Sequence, residues 1–177
     1  TRALGPGLRY AIWTQGCPFN CPGCVTPEGR PIVAAKIIDT TTLANDIIEN
    51  KNISGVTISG GEPFLQAASI AVLLEKVQLS RPELNVIIFT GFRIEELQSE
   101  EALAVLKMTD LLIDGQYIES KNDGVGLRGS SNQRLHFLTD RLLPYKENLQ
   151  SGKRQVELTL NKNSTDAIGI PLKQNLL

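Results

Sequence analysis

Four short, mainly apolar runs punctuate the first two thirds of the chain: "LRYAIWT" (Leu8 to Thr14), "GVTIS" (Gly55 to Ser59), "NVIIF" (Asn85 to Phe89) and "LLID" (Leu111 to Asp114). Their hydrophobicity is continuous rather than alternating, the pattern of strands covered on both faces. Between them the period lengthens to that of a helix. Leu43, Ile47 and Ile48 follow a cap expected at Thr41 or Thr42. Ile70, Leu73, Leu74 and Val77 keep the i, i+3, i+4, i+7 spacing. Ile94 to Met108 predicts a third helix, broken near Ser99, with Leu103 and Leu106 turned inward. Strands separated by helices at intervals of about 25–45 residues predict βαβ units and a parallel sheet.

That architecture fixes where chemistry should lie. The loops at Cys17, Gly60, Thr90 and Asp114 all follow the C-terminal ends of expected strands. In parallel α/β folds those ends converge on one rim, where ligands bind. The tail is read differently: "VELTL" (Val156 to Leu160) alternates like an edge or closing strand, and residues 139–154 suit helix plus loop. With no internal repeat or interdomain linker, all 177 residues are expected to form one domain.

Composition narrows the function classes. The chain is 41% hydrophobic and 21% charged with a net charge of -1, so no basic footprint for nucleic acid or anionic membrane stands out. No apolar run approaches the ~18 residues of a spanning helix, and no signal peptide opens the chain. It begins at Thr1, which leaves room for a short leader. Three clustered cysteines with none elsewhere to pair argue for a reducing, cytosolic setting. There the sequons at Asn52 and Asn163 are read as chance matches.

Cys17, Cys21 and Cys24 stand in "CPFNCPGC", spaced C-x3-C-x2-C. Thiolates are the usual ligands of iron–sulfur clusters, and a cubane has four iron corners. Three thiolates would leave one iron open to a small molecule. Pro18, Pro22 and Gly23 suit a loop wrapped round a compact cluster. The ferredoxin pattern needs a fourth cysteine. A Cys3His zinc site would need the sole histidine, His136, which stands 112 residues beyond Cys24 in strand-like "LHFL", whereas structural zinc ligands usually come in nearer pairs.

The motif resembles the signature loop of the radical S-adenosylmethionine superfamily, whose members bind S-adenosylmethionine at the open iron of a [4Fe-4S] cluster. Gly23 departs from the common pattern, which has an aromatic residue there. It matches one branch, the activating subunits of anaerobic ribonucleotide reductase, whose loops read "CPGC". Further motifs extend the resemblance over about Gly5 to Leu138. "SGGEP" (Ser59 to Pro63) combines glycines that admit a ligand to the backbone with the carboxylate of Glu62, able to pair with an ammonium. By itself it could equally be a tight turn. The resemblance implies that Gly60, Gly61 and Glu62 receive the methionine amino group. "IFTG" with Thr90 and "LLIDG" with Asp114 resemble the third and fourth strand endings, near the cofactor and its ribose. Asp114 is open to a turn or N-cap reading too. Gln116 stands where relatives often carry lysine. "LRGSSNQR" (Leu127 to Arg134) and the opening "GPGLR" resemble the same branch. Arg128, Ser130 and Asn132 there offer a carboxylate clamp, a hydroxyl and an amide, or merely a polar turn. The G-x-G-x-x-G string of Gly124, Gly126 and Gly129 follows polar "ESKND" rather than a strand, and no helical pattern opens from it, which argues against a dinucleotide site.

The resemblance implies a partial, open (β/α) barrel with about five or six mostly parallel strands. It implies reductive cleavage of S-adenosylmethionine to a 5′-deoxyadenosyl radical, with flavodoxin or ferredoxin as donor and a glycine of a glycyl-radical enzyme as target. Modification of a ribosomal peptide or small molecule is the alternative. A non-enzymatic electron-transfer module or scaffold is a third class, which the "GGEP" motif disfavours. The last forty or so residues exceed what the short activators carry, and are expected to close the barrel or shape a partner surface.

Overall fold

The computed structural model describes residues 1–161 and 165–171. The four apolar runs form β1 (Arg9–Thr14), β2 (Gly55–Gly60), β3 (Asn85–Thr90) and β4 (Leu111–Asp114). They lie parallel in chain order, with Arg9 level with Gly55, Gly55 with Asn85 and Ile87 with Leu111. β5 (Arg134–Phe137) adds to β4 in the antiparallel sense, setting Arg134 opposite Asp114. The result is a mostly parallel five-stranded sheet with β1 and β5 at its edges.

The crossovers are α1 (Thr40–Glu49), α2 (Ala67–Ser80) and α3 (Glu100–Lys107). Val56, Ile58, Val86, Ile88 and Leu112 pack beneath them with Ile47, Leu74 and Val77. The opposite face carries Ile87, Leu111 and Ile113, covered by Leu127, Leu142, Leu149 and Ile170. Burial on both sides accounts for the unbroken apolar runs.

Two helix expectations need correction. α1 is capped by Asp39 rather than Thr41 or Thr42: its Oδ1 accepts the N–H groups of those two threonines at 2.9 and 3.0 Å. An aspartate in extended backbone just ahead of the helix meets the free donors first. The third helical segment is broken near Ser99 as expected, and the correction there concerns Leu103. Ile94–Glu96 forms a single 3-10 turn, and α3 starts after Ser99, whose Oγ accepts the Ala102 N–H at 3.1 Å. That start turns Ala102 and Val105 inward and leaves Leu103 42% exposed, while Leu106 packs on the core as expected.

At the strand ends remote from the rim, buried Arg9 binds three strands together. Its guanidinium donates to the Thr57 hydroxyl, to Asn85 Oδ1 at 2.6 Å and to the Val56 carbonyl at 2.6 Å. Thr57 in turn donates to the Leu4 carbonyl at 2.9 Å. Burial lowers the Arg9 pKa to about 9, with the charge of Asp110 acting against it.

The tail corrects a further expectation. After the 3-10 turn Asp140–Tyr145 and α4 (Lys146–Ser151), the "VELTL" segment forms β6 (Val156–Leu160). β6 pairs antiparallel with β7 (Thr165–Gly169) in a separate two-stranded sheet, and joins no strand of the main one. Its alternation of Val156, Leu158 and Leu160 with Glu157 and Thr159 gives it one polar face, which a sheet buried on both sides could not accept. Asn163 and Ser164 of the second sequon, and the chain from Leu172, lie outside the described residues. Among those residues no helix is long and apolar enough to cross a membrane.

Candidate iron–sulfur and cofactor site

A cavity of about 370 Å³ opens at the C-terminal rim of the parallel strands. Cys17, Cys21 and Cys24 line it together with Gly60, Gly61 and Glu62 after β2, Thr90 at the end of β3, and Gln116 beyond β4. Segments far apart in sequence therefore surround one space, as the strand topology requires.

The cysteine loop is held in place from both sides. Gly16 and Cys17 donate N–H groups to the Gly29 and Arg30 carbonyls at 2.8 and 3.0 Å, closing the loop's neck. The Thr26 hydroxyl donates to the Gly60 carbonyl at 2.9 Å, and Glu62 N–H to the Gly16 carbonyl at 2.7 Å. Phe19 stacks edge-on against Phe92, with centroids 4.9 Å apart. The Phe19 ring lies so close to Gly91 that a Cβ there would sit 2.4 Å from it. Gly60 is needed for two reasons. Its φ is +105°, and a Cβ would fall 2.4 Å from the Thr14 nitrogen.

Glu62 is wholly buried, yet its carboxylate serves the protein. Oε1 accepts the Phe64 N–H at 3.0 Å and the Thr90 hydroxyl at 2.8 Å, while Oε2 accepts the Gly91 N–H at 2.7 Å. Burial pushes its pKa up, and these three donors pull the other way. The side chain thus braces the β2 and β3 ends around the cavity.

All three thiols are free and partly exposed. Burial pushes the Cys17 and Cys21 pKa values up, against backbone N–H donation from Phe19 and Tyr117 respectively. Such thiols ionise when a bound cation supplies the compensating charge. Among the described residues, no three Cys, His, Asp or Glu groups close on a single ion. The three thiols line one cavity and could together hold a polynuclear cluster. His136 is no zinc ligand to this set: it stands on β5 with Nε2 3.1 Å from Asp114 Oδ2.

The remaining candidates divide. Asp114 is fully buried and does not line the cavity. Oδ1 accepts from Arg134 Nε at 3.0 Å and Arg93 Nη1 at 3.2 Å, and Oδ2 from the Ile94 N–H at 2.8 Å and from Arg134 Nη2. Burial opposes its ionisation, but these donors, with the charges of His136 and Arg134, bring the pKa down to about 2. Arg128, Ser130 and Asn132 also stand behind the wall. Arg128 pairs with Asp123 at 2.6 Å, the Ser130 hydroxyl accepts the Ile118 N–H at 3.1 Å, and Asn132 Nδ2 donates to the Gln116 carbonyl at 2.9 Å. The residue that joins this motif to the cavity is Gln133, which was not singled out. Its Oε1 accepts the Gly129 and Ser130 N–H groups at 2.7 and 3.1 Å, and Nε2 donates to the Gly115 carbonyl at 2.7 Å. Gln133, Gly115, Tyr117 and Gly129 all line the cavity. Gln133 was visible inside "LRGSSNQR", but nothing in the string distinguished it from its neighbours.

Comparison with known proteins gives the family. Residues 3–136 match the family model described as a 4Fe-4S single cluster domain. The chain is 28% identical over 144 residues to the anaerobic ribonucleoside-triphosphate reductase-activating protein of Escherichia coli (strain K12), covering 76% of this chain and 91% of that protein. The protein of the same name from Vibrio cholerae is 30% identical over 143 residues, with the same coverage. The pyruvate formate-lyase-activating enzyme of Staphylococcus epidermidis is 35% identical over 80 residues, 42% of this chain and 32% of that enzyme.

Proposed function

The chain belongs to the 4Fe-4S single cluster domain family and, with it, to the anaerobic ribonucleoside-triphosphate reductase-activating proteins; from that premise we propose that it is a radical S-adenosylmethionine activase of a glycyl-radical enzyme. The observation that carries this is the meeting of three free thiols from one loop with the Gly60–Glu62 turn in a single cavity at the strand ends. The open five-stranded sheet is read as the partial barrel of such enzymes, with the rim left accessible to a macromolecular substrate.

Cys17, Cys21 and Cys24 would hold the [4Fe-4S] cluster. Bound there, cluster and S-adenosylmethionine would supply radical chemistry for abstracting a hydrogen atom from a glycine Cα of the partner. The protein's part is binding and positioning. Gly60 and Gly61 let the methionine end approach the backbone, and Glu62 keeps that backbone rigid through Thr90 and Gly91. Gln116, Tyr117 and Gly129 form the wall opposite, held by Gln133. Asp114, with Arg128, Ser130 and Asn132, supports that wall from behind and is assigned to cofactor binding indirectly. Phe89, Val25 and Trp13 make the cavity partly apolar, which limits water near a reactive species. Reducing equivalents come from a flavodoxin or ferredoxin in this scheme.

Anaerobically reconstituted protein given dithionite and S-adenosylmethionine is expected to release 5′-deoxyadenosine. With the source organism's anaerobic ribonucleotide reductase added, a doublet glycyl-radical EPR signal should grow on that partner. A complete cluster without 5′-deoxyadenosine would refute the enzyme, and turnover without the doublet would refute its target.

A further inference from the structure

The β6–β7 pair lies outside the matched family region, which ends at residue 136, yet it reaches the cavity. Ala167, Ile168, Gly169 and Ile170 supply part of the lining. The pair is anchored on both sides. Glu157 accepts the Arg2 N–H at 2.7 Å. Arg154, its side chain only 2% exposed, donates to the Arg128 carbonyl at 2.6 Å and the Pro171 carbonyl at 3.1 Å, fastening the end of the pair where β6 starts and β7 finishes to the Gly129 loop.

Alternation sorts its two faces. Val156, Leu158 and Leu160 share one face, and their cross-strand partners there are Gly169, Ala167 and Thr165. That face carries no charge, and its three large residues are 38%, 58% and 79% exposed. Glu157, Thr159, Asp166 and Ile168 occupy the other face. Ala167 and Gly169 of the apolar face line the cavity together with Ile168 of the other, so β7 borders the cavity and the apolar face adjoins its edge. Trp13 and Val25, 44% and 50% exposed, extend apolar surface elsewhere on the lining.

We propose that the apolar face of β6–β7 is the docking surface for the partner's glycine-bearing polypeptide segment, leading that segment into the cavity. The inference rests on the function proposed above, because a polypeptide glycine must cross this mouth to reach the site. An uncharged face selects an uncharged, apolar stretch beside the target glycine, since a charged one would lose water there without gaining a partner. Three exposed large apolar residues on one strand face form a patch of the kind that marks an interaction surface.

The test uses the full chain with its cluster and the source organism's anaerobic ribonucleotide reductase. Leu158→Lys/Leu160→Lys is compared with Thr159→Lys, which places the same charge on the opposite face. The proposal expects the double variant to lower glycyl-radical yield on the reductase about tenfold, the loss typical of an interface anchor, while Thr159→Lys activates normally. Iron content and partner-free release of 5′-deoxyadenosine should match the unsubstituted chain in both. Unchanged radical yield in the double variant would overturn the docking role. So would an equal loss of partner-free 5′-deoxyadenosine, which would make β6–β7 a wall of the cofactor site only. Absence of any glycyl radical with the unsubstituted chain would instead bring down the activase function, and this surface role with it.

Discussion

The Thr90 hydroxyl donates to Glu62 Oε1 at 2.8 Å, joining the end of β3 to the glycine turn that follows β2. The same oxygen of Thr90 accepts the Phe92 N–H at 3.1 Å, so one hydroxyl serves two turns of the rim. Thr90→Val keeps the shape and removes both bonds. It should destabilise the protein by about 1.5–3 kcal/mol, the range for hydrogen bonds to a charged group, with Thr90→Ser recovering most of the loss. Thermal unfolding of the anaerobically purified protein measures both.

Asp114 makes a pH prediction. Its folded pKa, about 2, lies below the ordinary 3.8, so its ion pairs stabilise the fold above pH 3.8 and that contribution is lost as pH falls toward 2. Asp114→Asn leaves Arg134 and Arg93 without their buried partner. The variant should be clearly less stable than the unsubstituted protein at pH 6, and the gap should narrow as pH falls from about 4 to about 2. Denaturant midpoints across that range test it; a gap independent of pH would assign the loss to packing.

Cys21→Ser should leave the sheet intact and abolish the cluster, because a hydroxyl is a poor substitute for a soft thiolate. Iron analysis should fall from about four atoms per chain to near zero, with the far-ultraviolet circular dichroism unchanged. Retained iron and turnover would remove Cys21 from the ligand set.

Gln133 fastens the two loops of the far wall, so Gln133→Leu should separate them. Three hydrogen bonds are lost, leaving the Gly129 and Ser130 N–H groups and the Gly115 carbonyl unpartnered. The expected outcome is at least a tenfold rise in the KM for S-adenosylmethionine with a smaller change in kcat, about 1.4 kcal/mol of uniform binding. Gln133→Glu keeps the acceptor for Gly129 and Ser130 and should fall between.

Much of the molecule was legible in its amino-acid order because the signals are local. The strands at Arg9–Thr14, Gly55–Gly60, Asn85–Thr90 and Leu111–Asp114 follow from apolar runs that must be covered on both faces. Their parallel order makes the rim loops neighbours, so the meeting of Cys17, Gly60 and Thr90 needed no knowledge of side-chain packing. The thiol triplet pointed to a cluster by its spacing, whereas the glycine turn read equally as a tight turn and took its cofactor role from the resemblance alone.

Other features depended on contacts between distant segments. Asp114 reads in sequence like a ligand acceptor at a strand end; the antiparallel return of β5 brings Arg134 against it and consumes its oxygens. Glu62 likewise became a brace once Thr90 and Gly91 came within reach. Gln133 acquired meaning only when folding carried it to the cavity, and the apolar face of Val156, Leu158 and Leu160 only when its partner strand β7 came to border that cavity. Periodicity and motif spacing record what each segment needs from its immediate environment. Which partner satisfies a buried charge, and which strand edge stays free, is settled by long-range packing, and the chain order does not encode that in any short window.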